Sequence, residues 1–154
     1  MPHEVLHERR AYPGRPVIGV GAVVVTSEGR IVLVRRAGPP LAGEWSVPGG
    51  VLELGETLSS GVSREVLEET GLVVDVGPVV DVFEYISADE PGRVKYHYVV
   101  VDYLCRVMGG ALRARSDASG IALVASGDLD RYAMAERTLA IVRRGCEMAD
   151  DGRR

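Results

Sequence analysis

The sequence predicts an α+β domain in which a mixed sheet lies between two helices. Runs of β-branched residues dominate the first third and the middle of the chain, which is typical of strands. Two other segments, one before the middle and one near the end, space their apolar residues as a helix does. Strands interrupted by one central helix and followed by another favour α+β packing around one core. A chain of 154 residues fits a single domain of this kind.

The first half of the chain predicts two strands, a loop, a short extended piece and a helix. Residues 17–26, "VIGVGAVVVT", predict a buried strand, and "SEGR" turns the chain into a second strand at 31–36, so the pair forms a hairpin. Residues 37–43 are a loop by their Pro and Gly content, and "EWSVPGG" is a short extended piece that ends in a turn. From Thr57 to Thr70 the apolar residues stand four apart, and Gly71 is placed to end that helix.

The second half predicts three strands and a C-terminal helix. The strands are expected at 72–86, 93–107 and 121–124, with a polar loop at 87–92 and a turn at 108–110. Residues 133–145 predict the last helix. We therefore divide the chain into an N-terminal arm (1–15), one domain (16–145) and a disordered tail (146–154). The arm is expected to extend the sheet or to pack on a second subunit, which leaves a homodimer open.

Composition and charge exclude several classes of protein. With 46% hydrophobic and 26% charged residues the chain is not disordered, and a net charge of −4 argues against duplex nucleic acid or anionic membranes as partners. The cysteines, Cys105 and Cys146, form neither a metal-binding spacing nor a disulfide framework. The longest apolar run, residues 17–25, is about half the length of a membrane-spanning helix. We expect a reduced, cytoplasmic protein.

The central helix carries an unusual concentration of acid in "REVLEETG", residues 64–71. At helical spacing Glu65, Glu68 and Glu69 share one face and flank the buried apolar stripe. Their mutual repulsion and desolvation disfavour this arrangement, and a hard cation such as Mg²⁺ or Mn²⁺ would offset both costs. A solvated charged face is the alternative, since exposed Glu-rich helices are common.

The segment before this helix favours the metal interpretation. Gly49 and Gly50 end a short extended piece, and glycines let the backbone turn tightly and approach a ligand. A Gly-rich loop that leads into a helix can offer backbone oxygens to a metal and N–H groups to phosphate. Arg64 and Glu56 are expected to form a supporting ion pair.

Residues 50–72, "GVLELGETLSSGVSREVLEETGL", resemble the Nudix box, G-x₅-E-x₇-R-E-U-x-E-E-x-G-U with U aliphatic. Every defined position matches, and the likeness of the surrounding segments extends from about Pro16 to Arg144. The matching positions are Gly50, Glu56, Arg64, Glu65, Val66, Glu68, Glu69, Gly71 and Leu72.

Similarity to the Nudix hydrolase family implies an α/β/α sandwich in which the box forms a loop–helix–loop. It also implies a Mg²⁺ site, with Mn²⁺ as a substitute, built from the Gly49 carbonyl and from Glu65, Glu68 and Glu69. Glu68 and Glu69 would be the main ligands, and Glu65 would bind metal or act as the general base. Glu56 and Arg64 match the pair that braces the loop against the helix.

The general base is open, because some members of the family take it from a loop outside the box. That loop should lie within residues 113–124, where Asp117 is the only acid and relatives often have a Glu near Gly120. Asp117 is a candidate for a catalytic or metal role, and capping of its own loop is the alternative.

Four residues outside the box also carry expectations. Arg35 and Arg36 end the second strand near the expected mouth of the site, where they either contact phosphate or are solvated. Trp45 is expected in the core rather than as a platform for a base. Asp102 stands inside an apolar strand, and its burial would require a partner.

The substrate class follows from the resemblance alone. The pattern is most similar to the short ADP-ribose pyrophosphatase-like branch, which implies hydrolysis of ADP-ribose to AMP and ribose 5-phosphate. A MutT-like nucleoside triphosphatase that releases pyrophosphate is the alternative. A non-catalytic module that senses a nucleotide is a further alternative, but such a module would be expected to have lost one of the glutamates that are all present here.

Overall fold

A computed structural model of the chain describes residues 10–38, 41–113 and 118–153. Its centre is a mixed sheet of seven strands in the order β3-β2-β1-β6-β5, with β4 paired to β1 and β7 paired to β2. The strands are β1 (Val17–Val25), β2 (Ile31–Arg36), β3 (Trp45–Ser46), β4 (Gly49–Val51), β5 (Leu72–Glu90), β6 (Arg93–Gly110) and β7 (Ala118–Val124).

Strand β1 lies in the middle of this sheet, as its uninterrupted apolar sequence predicts. It runs parallel to β6 and antiparallel to β2 and β4. The β1–β2 hairpin is confirmed: Thr26 donates its N–H to the Arg30 carbonyl at 2.9 Å, and Gly29 takes a left-handed conformation in the turn (φ 79°). The predicted mixed sheet is confirmed as well.

Helix α1 spans Leu58–Thr70, and its ends follow local signals in the sequence. The Thr57 hydroxyl accepts the N–H of Ser60 at 3.1 Å, which caps the first turn. Gly71 follows the helix in the left-handed conformation and donates its N–H to the Leu67 carbonyl. Val62 and Val66 are fully buried against the face of β1 that carries Val20.

Helix α2 spans Glu136–Asp151 and covers the opposite face of the sheet, after a 3-10 helix at Ser126–Arg131. Its Ile141 and Val142 are buried there. The expectation of a disordered tail from residue 146 is wrong for 146–151, because α2 continues through them and Met148 packs against the sheet. The last turns of this helix were missed because acidic residues interrupt the apolar spacing there.

The β5–β6 hairpin is longer than the sequence predicts. Residues 87–90 were expected in a loop and 108–110 in a turn, yet Glu90 pairs with Arg93 and Leu72 pairs with Gly110. Two residues, Pro91 and Gly92, suffice for the turn because Gly92 has a φ of 79°. Polar residues at the exposed end of an edge hairpin therefore remain in the ladder.

The described part of the N-terminal arm is attached to this hairpin. Tyr12 donates its N–H to the Lys95 carbonyl at 2.7 Å and its hydroxyl to Asp89, and the Arg93 guanidinium lies 4.1 Å from its ring centroid. Residues 1–9, to which the expectation for the arm also refers, lie outside the described residues. Across the residues that the structure describes, every helix is too short or too polar to cross a membrane.

Candidate active site

The acidic face of α1 meets residues 48–50, which we call the Pro-Gly-Gly turn, because β4 is held beside β1. Only Pro48 forms a bend there, whereas Gly49 and Gly50, which were expected in a turn, begin strand β4. Gly49 pairs with Gly21 and Gly50 with Val20, which fixes the turn at the edge of the helix. A Cβ atom on Gly50 would lie 2.4 Å from Cδ of Glu65, and one on Gly49 would lie 2.3 Å from the Val20 carbonyl oxygen. Because neither position has a side chain, the Gly50 backbone lies directly against the carboxylate of Glu65 and the Gly49 backbone lies against that of β1.

Arg64 is the hub of the site. Its Nε and Nη2 bind the two carboxylate oxygens of Glu56 at 2.7 and 2.8 Å, a bidentate pair that confirms the predicted brace between loop and helix. Nη2 also donates to the Val51 carbonyl at 3.1 Å, which ties the guanidinium to the end of β4. The loop that leads into α1 is therefore fastened both to the helix and to the strand before it.

The same guanidinium also reaches the glutamates of the helix. Nη1 lies 2.7 Å from Glu65 and 3.3 Å from Glu68, and the two carboxylates differ in exposure, at 13% and 48%. Glu69 is partly buried on the same stretch of helix. The period of the helix predicted that these glutamates would be neighbours, but it did not predict that an internal cation would lie between two of them.

The carboxylates of α1 suit an oxygen-ligated divalent ion, although two of them, those of Glu65 and Glu68, accept hydrogen bonds from Arg64. Within the described residues, no three acidic, histidine or cysteine side chains converge on one point. Glu65 and Glu68 nevertheless share one cationic nitrogen, and only backbone flanks Glu65 at Gly50. Oxygen donors that can share a cation beside an open stretch of backbone fit Mg²⁺ or Mn²⁺.

The pKa values of the site follow from burial and from Arg64. Hydrogen bonds from the Arg64 side chain and then from the Glu53 backbone lower the pKa of Glu56 to about 2. Burial raises the pKa of Glu65, and the hydrogen bond from Arg64 opposes that rise. The carboxylates raise the pKa of Arg64 in turn. The brace is therefore ionised throughout the neutral range, while Glu65 is the carboxylate that binds a proton more readily than usual.

The two strand-end arginines point to different surroundings. Arg35 donates its Nε to the Gly43 carbonyl at 3.2 Å, which ties it to the loop before β3. The charge of Arg36 reaches Tyr98, as does that of Arg10. Arg36 and Arg10 thus both lie within electrostatic reach of Tyr98, whereas Arg35 is bound to its own loop.

One residue near the site, Arg10, was not predicted from the sequence. Arg10 lies close enough to Glu65 for its charge to lower the pKa of that carboxyl. Arg10 lies just before Tyr12, which is attached to Lys95 of β6, a residue far from it in the sequence. With 17 arginines in the sequence, nothing marks Arg10 as part of the site. Asp117 lies outside the described residues. Trp45 packs against the core cluster on the α2 side and meets the Tyr132 ring edge-on at 5.3 Å, as expected of a core residue.

Comparison with known proteins identifies the family of this chain. Residues 15–143 match the NUDIX domain family. The chain is 36% identical over 104 residues to a MutT-like protein of Streptomyces ambofaciens, covering 68% of this chain and 60% of that protein. It is 33% identical over 103 residues to an ADP-ribose pyrophosphatase of Methanocaldococcus jannaschii, covering 67% and 58%. The match thus spans about three fifths of the length of each relative.

A solved structure shows the same architecture. The MutT NUDIX hydrolase of Burkholderia pseudomallei superposes with a TM-score of 0.73 at 29% identity, over 84% of this chain and 98% of that one. The match to the NUDIX domain covers most of the chain, including the loop, the helix and the strand that form the acidic site. The protein is therefore a member of the Nudix family.

Proposed function

We propose that this protein hydrolyses the diphosphate linkage of a nucleotide derivative, and that ADP-ribose is its substrate, giving AMP and ribose 5-phosphate. One observation carries the proposal: the carboxylate of Glu65 lies against the backbone of Gly50 and shares Nη1 of Arg64 with the carboxylate of Glu68. The likeness to an ADP-ribose pyrophosphatase supports the choice of substrate. Such an activity agrees with a cytoplasmic location and leaves open whether two copies assemble.

The residues of the proposed site have two roles: some bind the metal, and others hold the loop against the helix. In this proposal Glu68 and Glu69 are the main ligands of Mg²⁺ together with the Gly49 carbonyl, and Glu65 is either a further ligand or the general base. A bound Mg²⁺ supplies charge neutralisation for the diphosphate and acidifies a water molecule. Arg64 and Glu56 hold the loop and the helix at a fixed distance, and Mn²⁺ would serve the same oxygen donors.

The proton of the attacking water goes to a carboxylate in this proposal. Glu65 suits the role, since burial raises its pKa and it lies against the backbone of the turn. Asp117, the only acid of its loop, is the other candidate. The variants Glu65→Gln and Asp117→Asn distinguish them. Replacement of the general base removes the increase of kcat with pH that accompanies its deprotonation, whereas replacement of a residue that only caps its loop leaves this increase in place.

A nucleoside triphosphate is the second candidate substrate, and the likeness to a MutT-like protein favours it. The acidic site handles the diphosphate in either case, so it does not discriminate between the two. Discrimination would fall to groups around the site, such as Arg36 and Arg10, whose charges both reach Tyr98.

The test is a substrate panel with identified products. The protein is incubated with Mg²⁺ and ADP-ribose, NADH, nucleotide sugars, or canonical and oxidised triphosphates. AMP formed from ADP-ribose supports the first proposal, and pyrophosphate released from a triphosphate supports the second. Turnover of none of these compounds with either Mg²⁺ or Mn²⁺ would overturn both and favour a nucleotide-sensing module.

A matched pair of variants links that activity to the acidic site. Glu68→Gln should lower kcat by about 100-fold or more, since the charge stabilisation that a metal supplies amounts to several kcal/mol. Glu147→Gln, at an exposed position of α2, removes one carboxylate far from the site and is the control. Equal turnover of the two variants, with both shown to be folded by circular dichroism, would remove Glu68 from the metal site.

A further inference from the structure

A buried carboxyl lies two strands away from the Pro-Gly-Gly turn. Gly49, Gly21, Asp102 and Asp81 stand side by side on β4, β1, β6 and β5 and form one row across the sheet. Asp102 is 2% exposed, and its Oδ2 is buried without a hydrogen-bond partner among the described residues. The sequence indicated that a carboxyl here would need a partner, and the structure provides none for this atom.

The Asp102 side chain occupies the space above Gly21. A Cβ atom at Gly21 would lie 2.1 Å from Oδ1 of Asp102 and 3.4 Å from Cγ2 of Val47. The carboxyl therefore rests against the backbone of β1, and Val47, which leads into the turn, borders the same space above Gly21. Gly49 in turn fits against Gly21, because a Cβ at Gly49 would lie 3.0 Å from the Gly21 Cα. Asp102 is therefore linked to the turn through Gly21, which it contacts and which pairs with Gly49.

The charges around Asp102 favour its neutral form. Asp81 faces it from β5 and Arg137 from α2, where the Arg137 guanidinium lies over the Phe83 ring at 4.7 Å. The contacts from β1 and from the segment before β4 are Gly21 and Val47, which carry no charge. Burial, and then the negative charge of Asp81, raise the pKa of Asp102 to about 7, against the weaker pull of Arg137.

We propose that Asp102 is a positioning residue, whose uncharged carboxyl holds β1 and the Pro-Gly-Gly turn together and so keeps Gly49 and Gly50 beside Glu65. Ionisation would place a charge next to Asp81 in a buried row, and the row would open to admit water or to separate the two carboxylates. The backbone contacts that carry this effect are the bond from the Ala22 N–H to the Pro48 carbonyl and the bond from the Leu52 N–H to the Ile18 carbonyl, both 2.9 Å. The consequence for catalysis rests on the proposed function, but the effect on the turn does not.

The test follows these two amide protons by NMR in the metal-free protein between pH 4.5 and 9. In the wild type, exchange of the Ala22 and Leu52 amides, corrected for the intrinsic rate, should rise by up to about tenfold per pH unit up to about pH 7 and then level off, because above 7 the carboxyl is ionised whether or not the row is open. Asp102→Asn keeps the shape of the side chain and cannot ionise, so its corrected exchange should stay level. Asp75→Asn is the control, since Asp75 is an exposed acid of β5 paired with Arg106 at 3.6 Å, and it should behave as the wild type.

Two results would overturn the proposal. One is equal pH dependence of these amides in the wild type and in Asp102→Asn. The other is a carboxyl carbon-13 titration in which Asp102 of the wild type ionises near 4, the ordinary range for aspartate. That titration needs no variant and decides the matter even if Asp102→Asn fails to fold. Because both measurements are made without metal or substrate, they stand whether or not the protein hydrolyses ADP-ribose.

A kinetic measurement then connects the turn to the site. The ratio of the Mg²⁺ concentrations for half-maximal activity, wild type over Asp102→Asn, should increase as the pH rises through about 7 and then stay level, while both proteins remain folded. The pH dependence of the general base cancels in this ratio. A purely structural role would change the unfolding temperature with pH and leave the ratio constant.

Discussion

The position of the Glu65 carboxylate depends on the absence of a side chain at Gly50. The carboxylate of Glu65 occupies the volume that a Cβ of residue 50 would take, at 2.4 to 2.5 Å from all three of its terminal atoms. The obstructing atoms belong to the far end of a flexible side chain, whereas those that face Gly49 are backbone. A methyl group at residue 50 can therefore be accommodated by turning the Glu65 carboxylate away.

Gly50→Ala should consequently separate activity from stability. We expect kcat to fall by about 100-fold, as misplacement of a reacting group by 1 Å can do, while the free energy of unfolding falls by about 1 kcal/mol, the lower limit for overpacking. Activity assays and urea unfolding measure the two quantities. Gly127→Ala is the control, because no atom lies within 4 Å of the new methyl group. Full activity of Gly50→Ala would show that Glu65 does not need its present position.

At the scale of single residues, the sequence predicted which side chains share a face better than it predicted which partners they contact. The shared face of Glu65, Glu68 and Glu69 follows from the period of a helix, and the Arg64–Glu56 contact from the motif. The bonds from Arg64 to Glu65 and Glu68 and the approach of Arg10 do not follow, because they depend on distances between elements. Periodicity specifies which residues share a face but not which partner reaches them.

Among the elements, α1 and the loop before it act as one unit. The loop supplies Glu56, whose Oε1 also accepts the Glu53 N–H at 2.9 Å, and the helix supplies Arg64. The ends of α1 were predictable because Thr57 and Gly71 act on adjacent backbone groups. The ends of β5 and β6 were not, because pairing with the other strand overrides the turn preference of polar residues.

The loop brace should appear as a pH-dependent part of the stability. The pKa of Glu56 is lowered from 4.5 to about 2, so its contribution is fully present above about 4.5 and is lost as the pH falls through about 2. Glu56→Gln should therefore unfold at lower urea concentration than the wild type at pH 7, and the gap should close between pH 4.5 and 2. Glu53→Gln is the matched control, since Glu53 is 67% exposed and lies 3.8 Å from Arg64. A gap that stays constant down to pH 2 would contradict the assignment of this stability to the ionised pair.

For the molecule as a whole, helices α1 and α2 serve different purposes on opposite faces of one sheet. Helix α1 carries the acidic site, and α2 buries the other face through Ile141, Val142 and the contact of Gly145 with Val23. The α+β class and the mixed sheet were predictable, since they follow from the order and the composition of the segments. The position of β4 and β7 beside the main strand order was not, because short strands pair where the tertiary structure places them.

The extent of α2 provides a test at this scale. Its last turns bring Met148 and Ala149 onto the cluster that contains Val23 and Leu104, and Cys146 onto the neighbouring cluster. A chain that stops after Gly145 loses these contacts and should be less stable by about 2–5 kcal/mol, the range for deletion of large buried side chains. A chain that stops after Asp151 keeps them and should lose less than about 0.5 kcal/mol, as is usual for surface changes. Urea unfolding measures both.

Because α2 and the acidic site are on opposite faces, the shorter chain should retain its turnover at temperatures well below its unfolding transition. Equal stability of the two truncated chains would show that residues 146–151 contribute no packing and that the helix could end at Gly145.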